Sequence, residues 1–422
     1  MTKQASFFTD RYPELGKGPV SVEPYISPEY YEREKAQIFK KTWLHVGRVE
    51  EIPNAGDFFV KELEVCDTEI IVVRNKRGEI RAMHNVCAHR MNQLVYEKCG
   101  HTRKFFCKFH GWAYDLDGNL TGVPEEECFF DMKREDYGLS QVSCDVWQGF
   151  IFVNMEAKPA QTLAEFMKPV YGDVEGYPFD KLTCAFQWTS VVDCNWKLAL
   201  DAFQEAYHVA YVHGNSIADA IDKSDGGSMR PLDVICGDLH RRLSLAGNQK
   251  SVYGNPKAVT SGGAAAAEAL AESAASRPIA AAALRAGMGS ARHEFPLDAL
   301  PPGVNWTQSK NWLFDINVIF PDLYVSLRPN YYQAYTFRPI AHNKTLFEGR
   351  VYYPEMTTAG GRFFLEYMKV ALRDVLLEDM STLERTQAAV ETGAKSHMIL
   401  QDSEILVRHG AHVVDRLVAA DQ

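Results

Sequence analysis

The stretch that most constrains this chain runs from Asn85 to Trp112, NVCAHRMNQLVYEKCGHTRKFFCKFHGW. It holds two short ligand pairs, Cys87-x-His89 and Cys107-x2-His110, with seventeen residues between His89 and Cys107. Thiolate and imidazole are the side chains that bind soft or borderline metals most readily. Two Cys and two His close either a tetrahedral zinc site or a [2Fe–2S] cluster in which two imidazoles replace two thiolates on one iron. Zinc modules usually pair like with like, roughly a C-x2-4-C and an H-x3-5-H. Here each pair mixes the two types. That suits two loops, each giving one sulfur to an inner iron and one nitrogen to an outer iron, and it favours the cluster.

At 422 residues the chain exceeds one ordinary domain and is expected to divide into two or three. An apolar fraction of 46% is that of a globular protein with a substantial core. The net charge of −10, with both signs interleaved, disfavours a nucleic-acid partner, which would want a basic face. The N-terminus, MTKQASFFTDRYPELGKGP, lacks an apolar signal core, and no run approaches the roughly eighteen apolar residues of a membrane span. Nine cysteines, odd in number and scattered, read as reduced thiols, so the expected compartment is the cytoplasm. Cys66, Cys99, Cys128, Cys144, Cys184, Cys194 and Cys236, outside the ligand pairs, are expected to be buried small hydrophobes.

Along the chain, residues 21–43 carry an amphipathic helix signal, with Ser27-Pro28-Glu29 as N-cap and first turn and Trp43 at the exit. Short β-rich runs follow at 58–64, 69–75 and 79–86, at hairpin spacing. Strands are expected on either side of the second ligand pair, at 104–107 and 111–115, and the small β module closes near 147–155. FQWTSVVDCNWKLAL (186–200) reads as a strand leading into a helix that continues through 201–213. The Ala-rich segment 261–288 predicts one or two surface helices broken near Arg277-Pro278, with a disordered linker as the alternative. A dense β region from Asn311 to Pro354 suggests an antiparallel meander, and helical periodicity returns at about 361–392 and 399–419.

A second metal site is suggested by DAFQEAYHVAYVH (201–213). On a continuous helix Asp201, Glu205 and His208 would share one stripe, whereas His213 lies roughly 140° from His208. Both histidines reach one metal only if the helix is distorted or ends between them. Two His and a carboxylate make the facial triad of non-haem Fe(II) oxygenases, which leaves positions open for dioxygen and substrate. LLEDMSTLERTQ (376–387) offers Glu378, Asp379 and Glu384 as the acid, and spacing alone does not choose among them. Phe314, Ile316, Val318, Phe320 and Tyr331 are candidates to line an apolar cavity, or to serve as plain core.

Taken together, CAHR (87–90), CKFHGWAYDLDGNL (107–120), EAYHVAYVH (205–213) and LEDMSTLE (377–384) resemble the catalytic α subunit of Rieske non-haem iron oxygenases, the ring-hydroxylating dioxygenase superfamily. The resemblance runs from about residue 30 onward. It implies an α+β fold: a small all-β Rieske [2Fe–2S] domain inserted in a larger catalytic domain, whose antiparallel sheet wraps a long C-terminal helix. The corresponding division is a helical segment 1–42 packing on the catalytic domain, a Rieske domain 43–156 and a catalytic domain 157–422. It further implies that Cys87 and Cys107 hold one cluster iron, His89 and His110 the other, and that His208, His213 and Asp379 hold a mononuclear Fe(II). Glu205 stands where the family usually has Asp bridging the cluster of one subunit to the iron of its neighbour, and Asp201 where many members have Asn. The implied partners are O2, a small hydrophobic substrate, and a reductase, with or without a ferredoxin, fed by NAD(P)H. The implied assembly is a homotrimer or α3β3. Dihydroxylation of an aromatic or polycyclic substrate is the leading expectation; monooxygenation or oxidative demethylation of a steroid, amine or aryl ether is the alternative.

Overall fold

The computed structural model describes residues 7–221, 230–248, 250–254, 270–271, 277–292 and 300–420. It separates into two compact units, Arg33–Phe166 and the chain outside those limits.

In the unit Arg33–Phe166, strands run antiparallel in the spatial order Leu44–Arg48, Phe150–Asn154, Gln141–Trp147, Ile80–His84, Thr68–Arg74, Asp57–Leu63 and Cys99–His101. The three hairpin runs expected at 58–64, 69–75 and 79–86 are thus consecutive neighbours. A second sheet of three short strands, Phe105–Phe106, Ala113–Tyr114 and Leu120–Gly122, carries the second ligand loop. Phe58, Ile71, Met83, Leu94, Trp112 and Tyr114 form one core with Cys87 and Cys107. The helix expected over 21–43 is broken into Glu23–Ile26 and Pro28–Glu34, with a π-helical turn Lys35–Phe39. Ser27 does cap it, its Oγ accepting from the Tyr30 N–H at 3.0 Å.

The other unit is built on a seven-stranded antiparallel sheet. Its order is Thr183–Val192, Lys344–Tyr353, Tyr332–Ala341, Leu323–Leu327, Trp312–Ile319, Arg241–Ala246 and Asp233–Cys236. Its middle strands are buried on both faces, which explains their nearly continuous apolar sequence. Cross-strand aromatic pairs reinforce the register: Tyr324 opposite Tyr335, stacked at 5.3 Å, and Phe337 opposite Phe347. Gly349 lies opposite Tyr335, where a Cβ would come within 2.8 Å of the Phe347 ring.

The helix Ala359–Val390 begins at Thr358, whose Oγ1 accepts from the Gly361 N–H at 3.0 Å. Its buried positions Phe364, Met368, Leu376, Asp379, Leu383 and Gln387 recur every three or four residues, or a multiple of that, and form one stripe. In the Ala-rich segment, Pro278 opens the helix Pro278–Gly287, while 261–269 and 272–276 lie outside the described residues.

Two expectations are corrected here. The segment 186–213 is not one strand and one helix. After the strand Thr183–Val192, the helix Trp196–Asp201 passes through a tight turn Ala202–Gln204 and stops, because Glu205 is extended at φ −146°, ψ 168°. Nor are all seven remaining cysteines buried. Cys66 and Cys194 are, but Cys99, Cys128 and Cys184 are exposed, and all are free thiols. Among the described residues, no helix is long and apolar enough to cross a membrane.

Phe203, in the turn just before Glu205, packs on Phe337 at 5.0 Å, and Phe337 is fully buried. Phe337→Ala is expected to lower the unfolding free energy by about 3–5 kcal/mol, read by chemical denaturation.

Candidate metal centres

The two ligand loops in the Arg33–Phe166 unit are copies of one device. In each, the Cys carbonyl accepts from the N–H four residues on, Met91 at 3.1 Å and Gly111 at 2.9 Å. Each turn ends on a left-handed residue, Met91 at φ 60° and Gly111 at φ 74°. Each Cys N–H in turn bonds a carbonyl just past its own loop, that of Asn92 or Trp112. The Cys87 and Cys107 thiols are buried, at 1% and 2% exposure, while His89 and His110 sit nearer the surface.

The His89 and His110 rings lie 4.6 Å apart, and His89 stacks on Trp112 at 4.8 Å. Tyr114 donates to, or accepts from, the Cys87 sulfur at 3.3 Å, and Asn92 Nδ2 points at the Cys107 sulfur at 3.8 Å. Burial, with Cys107 close enough to share a hydrogen bond, pushes the Cys87 thiol up. Burial, His110 and Arg90 hold His89 below its ordinary value. His89 Nδ1 is buried without a hydrogen-bond partner. Two adjacent sulfurs beneath two imidazoles, one with an orphaned nitrogen, fit a cluster with two Cys and two His ligands.

In the other unit, His208, His213 and Asp379 each offer a ligand atom, and these atoms lie within 4.8 Å of one another. The break at Glu205 makes this possible. Only the short helix Val209–Val212 separates the histidines, with His208 just before it and His213 just after. Asp379 Oδ1 is 3.1 Å from His213 Nε2 and 3.6 Å from His208 Nε2. Each ring's other nitrogen meets a second carboxylate: His208 Nδ1 contacts Glu205 Oε1, and His213 Nδ1 lies 2.8 Å from Glu378 Oε2. Such outer carboxylates orient metal-binding imidazoles. Burial alone would depress His213, but Asp379 and Glu378 outweigh it and hold the ring above its ordinary value. Two imidazoles and one carboxylate, converging on a point and oriented from behind, fit a mononuclear iron that keeps positions open.

The three candidate acids have three different situations. Asp379 faces the histidines. Glu378 backs His213 and also accepts from Ser216. Glu384 accepts from the Asp193 N–H at 3.3 Å, away from both rings. The helix's apolar phase distinguishes them: Asp379 falls between Leu376 and Leu383 on the buried stripe, and its neighbours do not. Asp201 does not share a stripe with His208. It is half-buried beside Tyr25, whose hydroxyl donates to it at 3.1 Å, and Gln204 Nε2 donates at 2.6 Å. Burial pushes its carboxyl up to about 7, against Arg241, Tyr25, Gln204 and Lys197, which pull it down.

His208, His213, Asp379 and Glu205 border a cavity of about 210 Å³. Its walls include Phe203, Val209, Leu245, Leu284, Tyr324 and Phe364. Phe314, Ile316 and Tyr331 line it as expected, whereas Val318 and Phe320 are plain core.

Residues 179–420 match the family described as ring hydroxylating alpha subunit (catalytic domain), and residues 42–142 match the Rieske [2Fe-2S] domain. The chain belongs to the ring-hydroxylating alpha subunit family. Among its relatives, biphenyl 2,3-dioxygenase subunit alpha of Rhodococcus jostii (strain RHA1) is 32% identical over 244 residues, 55% of this chain and 51% of that protein. The glycine betaine monooxygenase oxygenase subunit of Pseudomonas aeruginosa (strain UCBPP-PA14) is 31% identical over 202 residues, covering 48% and 46%. The chain therefore matches about half the length of these relatives. The solved structure of a quaternary ammonium Rieske monooxygenase shares the fold, with a TM-score of 0.72 at 17% identity over 97% of each chain.

Glu378→Ala is expected to weaken iron binding by roughly 10–100-fold, measured by metal titration, with the visible spectrum of the cluster unchanged. A second outcome follows from Asp201. An acid whose folded pKa is raised contributes stability that is full near pH 4 and lost as pH rises towards 7. Asp201→Asn lacks that loss, so thermal unfolding from pH 4 to 8 should move in the variant's favour, by up to ~4 kcal/mol.

Proposed function

We propose that this chain is the oxygenase component of a Rieske-type system that dihydroxylates an aromatic or polycyclic apolar substrate with O2. The observation that carries the reading is the cavity. Its aromatic and aliphatic walls run directly to His208, His213 and Asp379, so an apolar ring held there lies beside the candidate metal ligands. Bound at the two donor sets, a [2Fe–2S] cluster and a mononuclear iron would supply single-electron transfer and open coordination positions for O2.

The protein's own part is placement. Cys87, Cys107, His89 and His110 would hold the cluster, and His208, His213 and Asp379, which border the cavity, would hold the iron. Glu205 fixes the His208 ring from behind. We assign it the further role of linking His208 to the His110 edge of a neighbouring subunit, in a homotrimer or α3β3 assembly. A reductase, with or without a ferredoxin, would deliver the electrons of NAD(P)H. The aromatic side chains exclude water and favour flat apolar ligands over hydrated ones.

Monooxygenation is the second reading, favoured by the similarity to a glycine betaine monooxygenase subunit. Turnover of a single-ring aromatic substrate under 18O2 separates the two. Two labelled oxygens in one product molecule are expected; a single labelled oxygen would replace dihydroxylation with monooxygenation, and no label at all would sink both.

A further inference from the structure

The cavity holds one feature that an apolar-hydrocarbon site does not need: a cation without a counter-charge. Arg328 follows the strand Leu323–Leu327 and lines the cavity with Phe314, Asn330, Tyr331 and Gln333. Its backbone is pinned on both sides. The N–H donates to the Tyr331 carbonyl at 3.1 Å, and the carbonyl accepts from the Tyr177 hydroxyl at 2.9 Å. The guanidinium lies over the Phe314 ring at 4.0 Å, with the Tyr331 ring at 5.1 Å. Nε and Nη1 are buried and have no hydrogen-bond partner. Among the described residues, no carboxylate forms an ion pair with Arg328. The cavity's own acids, Glu205 and Asp379, are engaged with His208 and His213.

Stacking and hydrogen bonding use different parts of a guanidinium. Its face meets aromatic rings, while its N–H donors point outward in the plane of the group. Phe314 therefore satisfies the face and leaves the edge unsatisfied. Buried guanidinium edges are normally paired, because an unpaired charge away from water is costly. The natural complement of a planar fork of donors is a planar oxyanion, above all a carboxylate, which accepts two parallel hydrogen bonds.

We propose that Arg328 is a specificity-determining residue, and that the substrate is an aromatic ring bearing an anionic oxygen group, a carboxylate or a sulfonate. This rests on the oxygenase reading above and changes its substrate from a wholly apolar ring to an aromatic ring that carries an anion. The ring occupies the aromatic part of the cavity, and the anion meets the Arg328 edge. The substrate then enters with one end fixed, so the same face of the ring is presented to His208, His213 and Asp379 each time. A neutral hydrocarbon would leave the guanidinium unpaired in the complex. A quaternary ammonium group would place a second cation beside it.

The test is anaerobic calorimetric titration of the purified, metal-loaded protein with benzoate, benzenesulfonate, glycine betaine and benzamide, the neutral isostere of benzoate. Wild-type protein is expected to bind one of the two aromatic anions roughly 10–100-fold more tightly than benzamide. The better of the two identifies the anion. Arg328→Gln should abolish the preference, and Arg328→Lys should restore part of it. Equal binding of benzoate, benzenesulfonate and benzamide by the wild type, tighter binding of glycine betaine, or an undiminished preference in Arg328→Gln would each overturn the proposal. The wild-type comparison stands even if a variant fails to fold. Failure here is distinct from failure of the oxygenase reading, which would show as absence of the cluster's visible spectrum or of labelled product.

Discussion

The catalytic unit depends on one electrostatic constraint, the meeting of two imidazoles with Asp379. Glu205 and Glu378 accept hydrogen bonds from the Nδ1 side of His208 and His213, so the tautomer of each ring is assigned from its partner. With Nδ1 protonated, the two Nε2 atoms present lone pairs towards Asp379 Oδ1, at 3.6 and 3.1 Å. Lone pairs facing a carboxylate at those distances repel unless positive charge lies between them. A divalent cation supplies it at the centre; a proton on His213 supplies part of it, which is the direction in which Asp379 and Glu378 drive that ring. The outer carboxylates thus do more than steady the rings. They commit both histidines to a geometry that only a cation satisfies.

The two candidate donor sets differ in how far they could be read from the sequence, and chain distance explains the difference. Each cluster pair is contained in one four- or five-residue turn, so spacing alone carries the geometry; even the left-handed residue falls at the same place in both turns. The triad joins a segment near residue 208 to a helix near residue 379. Reading 201–213 as a continuous helix put Asp201, Glu205 and His208 on one face and left His213 out of reach. The extended backbone at Glu205 takes Asp201 off that face and brings His213 within reach, while Glu205 still contacts His208. What does survive in the sequence is helical phase: an acid in step with Leu376 and Leu383 is turned inward, so Asp379 could have been chosen over Glu378 and Glu384.

Other features left weaker traces. Glu378 reads as one more solvated acid on a helix until His213 and Ser216 are seen beside it. Arg328 stands just before Pro329 in an apolar β region, and nothing in the sequence around it points to a cavity. Two of the five candidates for cavity lining, Val318 and Phe320, are core instead, for a simple reason. Strands buried on both faces carry apolar residues everywhere, so alternation no longer tells which side chains face a cavity and which face a neighbouring layer. Phe314 and Ile316 line the cavity, whereas Val318, on the same strand, does not.

The aromatic ladder connects these points. Phe203 sits one residue before Gln204 and two before the break at Glu205, and its ring is enclosed by Tyr324, Tyr335, Phe337 and Phe347 from three adjacent strands. Packing of Phe203 on the sheet holds the turn before the break, and Glu205 caps the segment after it, its Oε2 accepting from the Tyr207 and His208 N–H groups. The same tyrosines feel both charges of the cavity: Tyr324 and Tyr335 are each influenced by Arg328 and by Asp379. One packed surface thus supports the turn that precedes His208 and His213 and also lines the cavity that Arg328 and Asp379 share. A substitution in this ladder acts on both, because Phe203 lies two residues from Glu205 while Tyr324 and Tyr335 line the cavity itself.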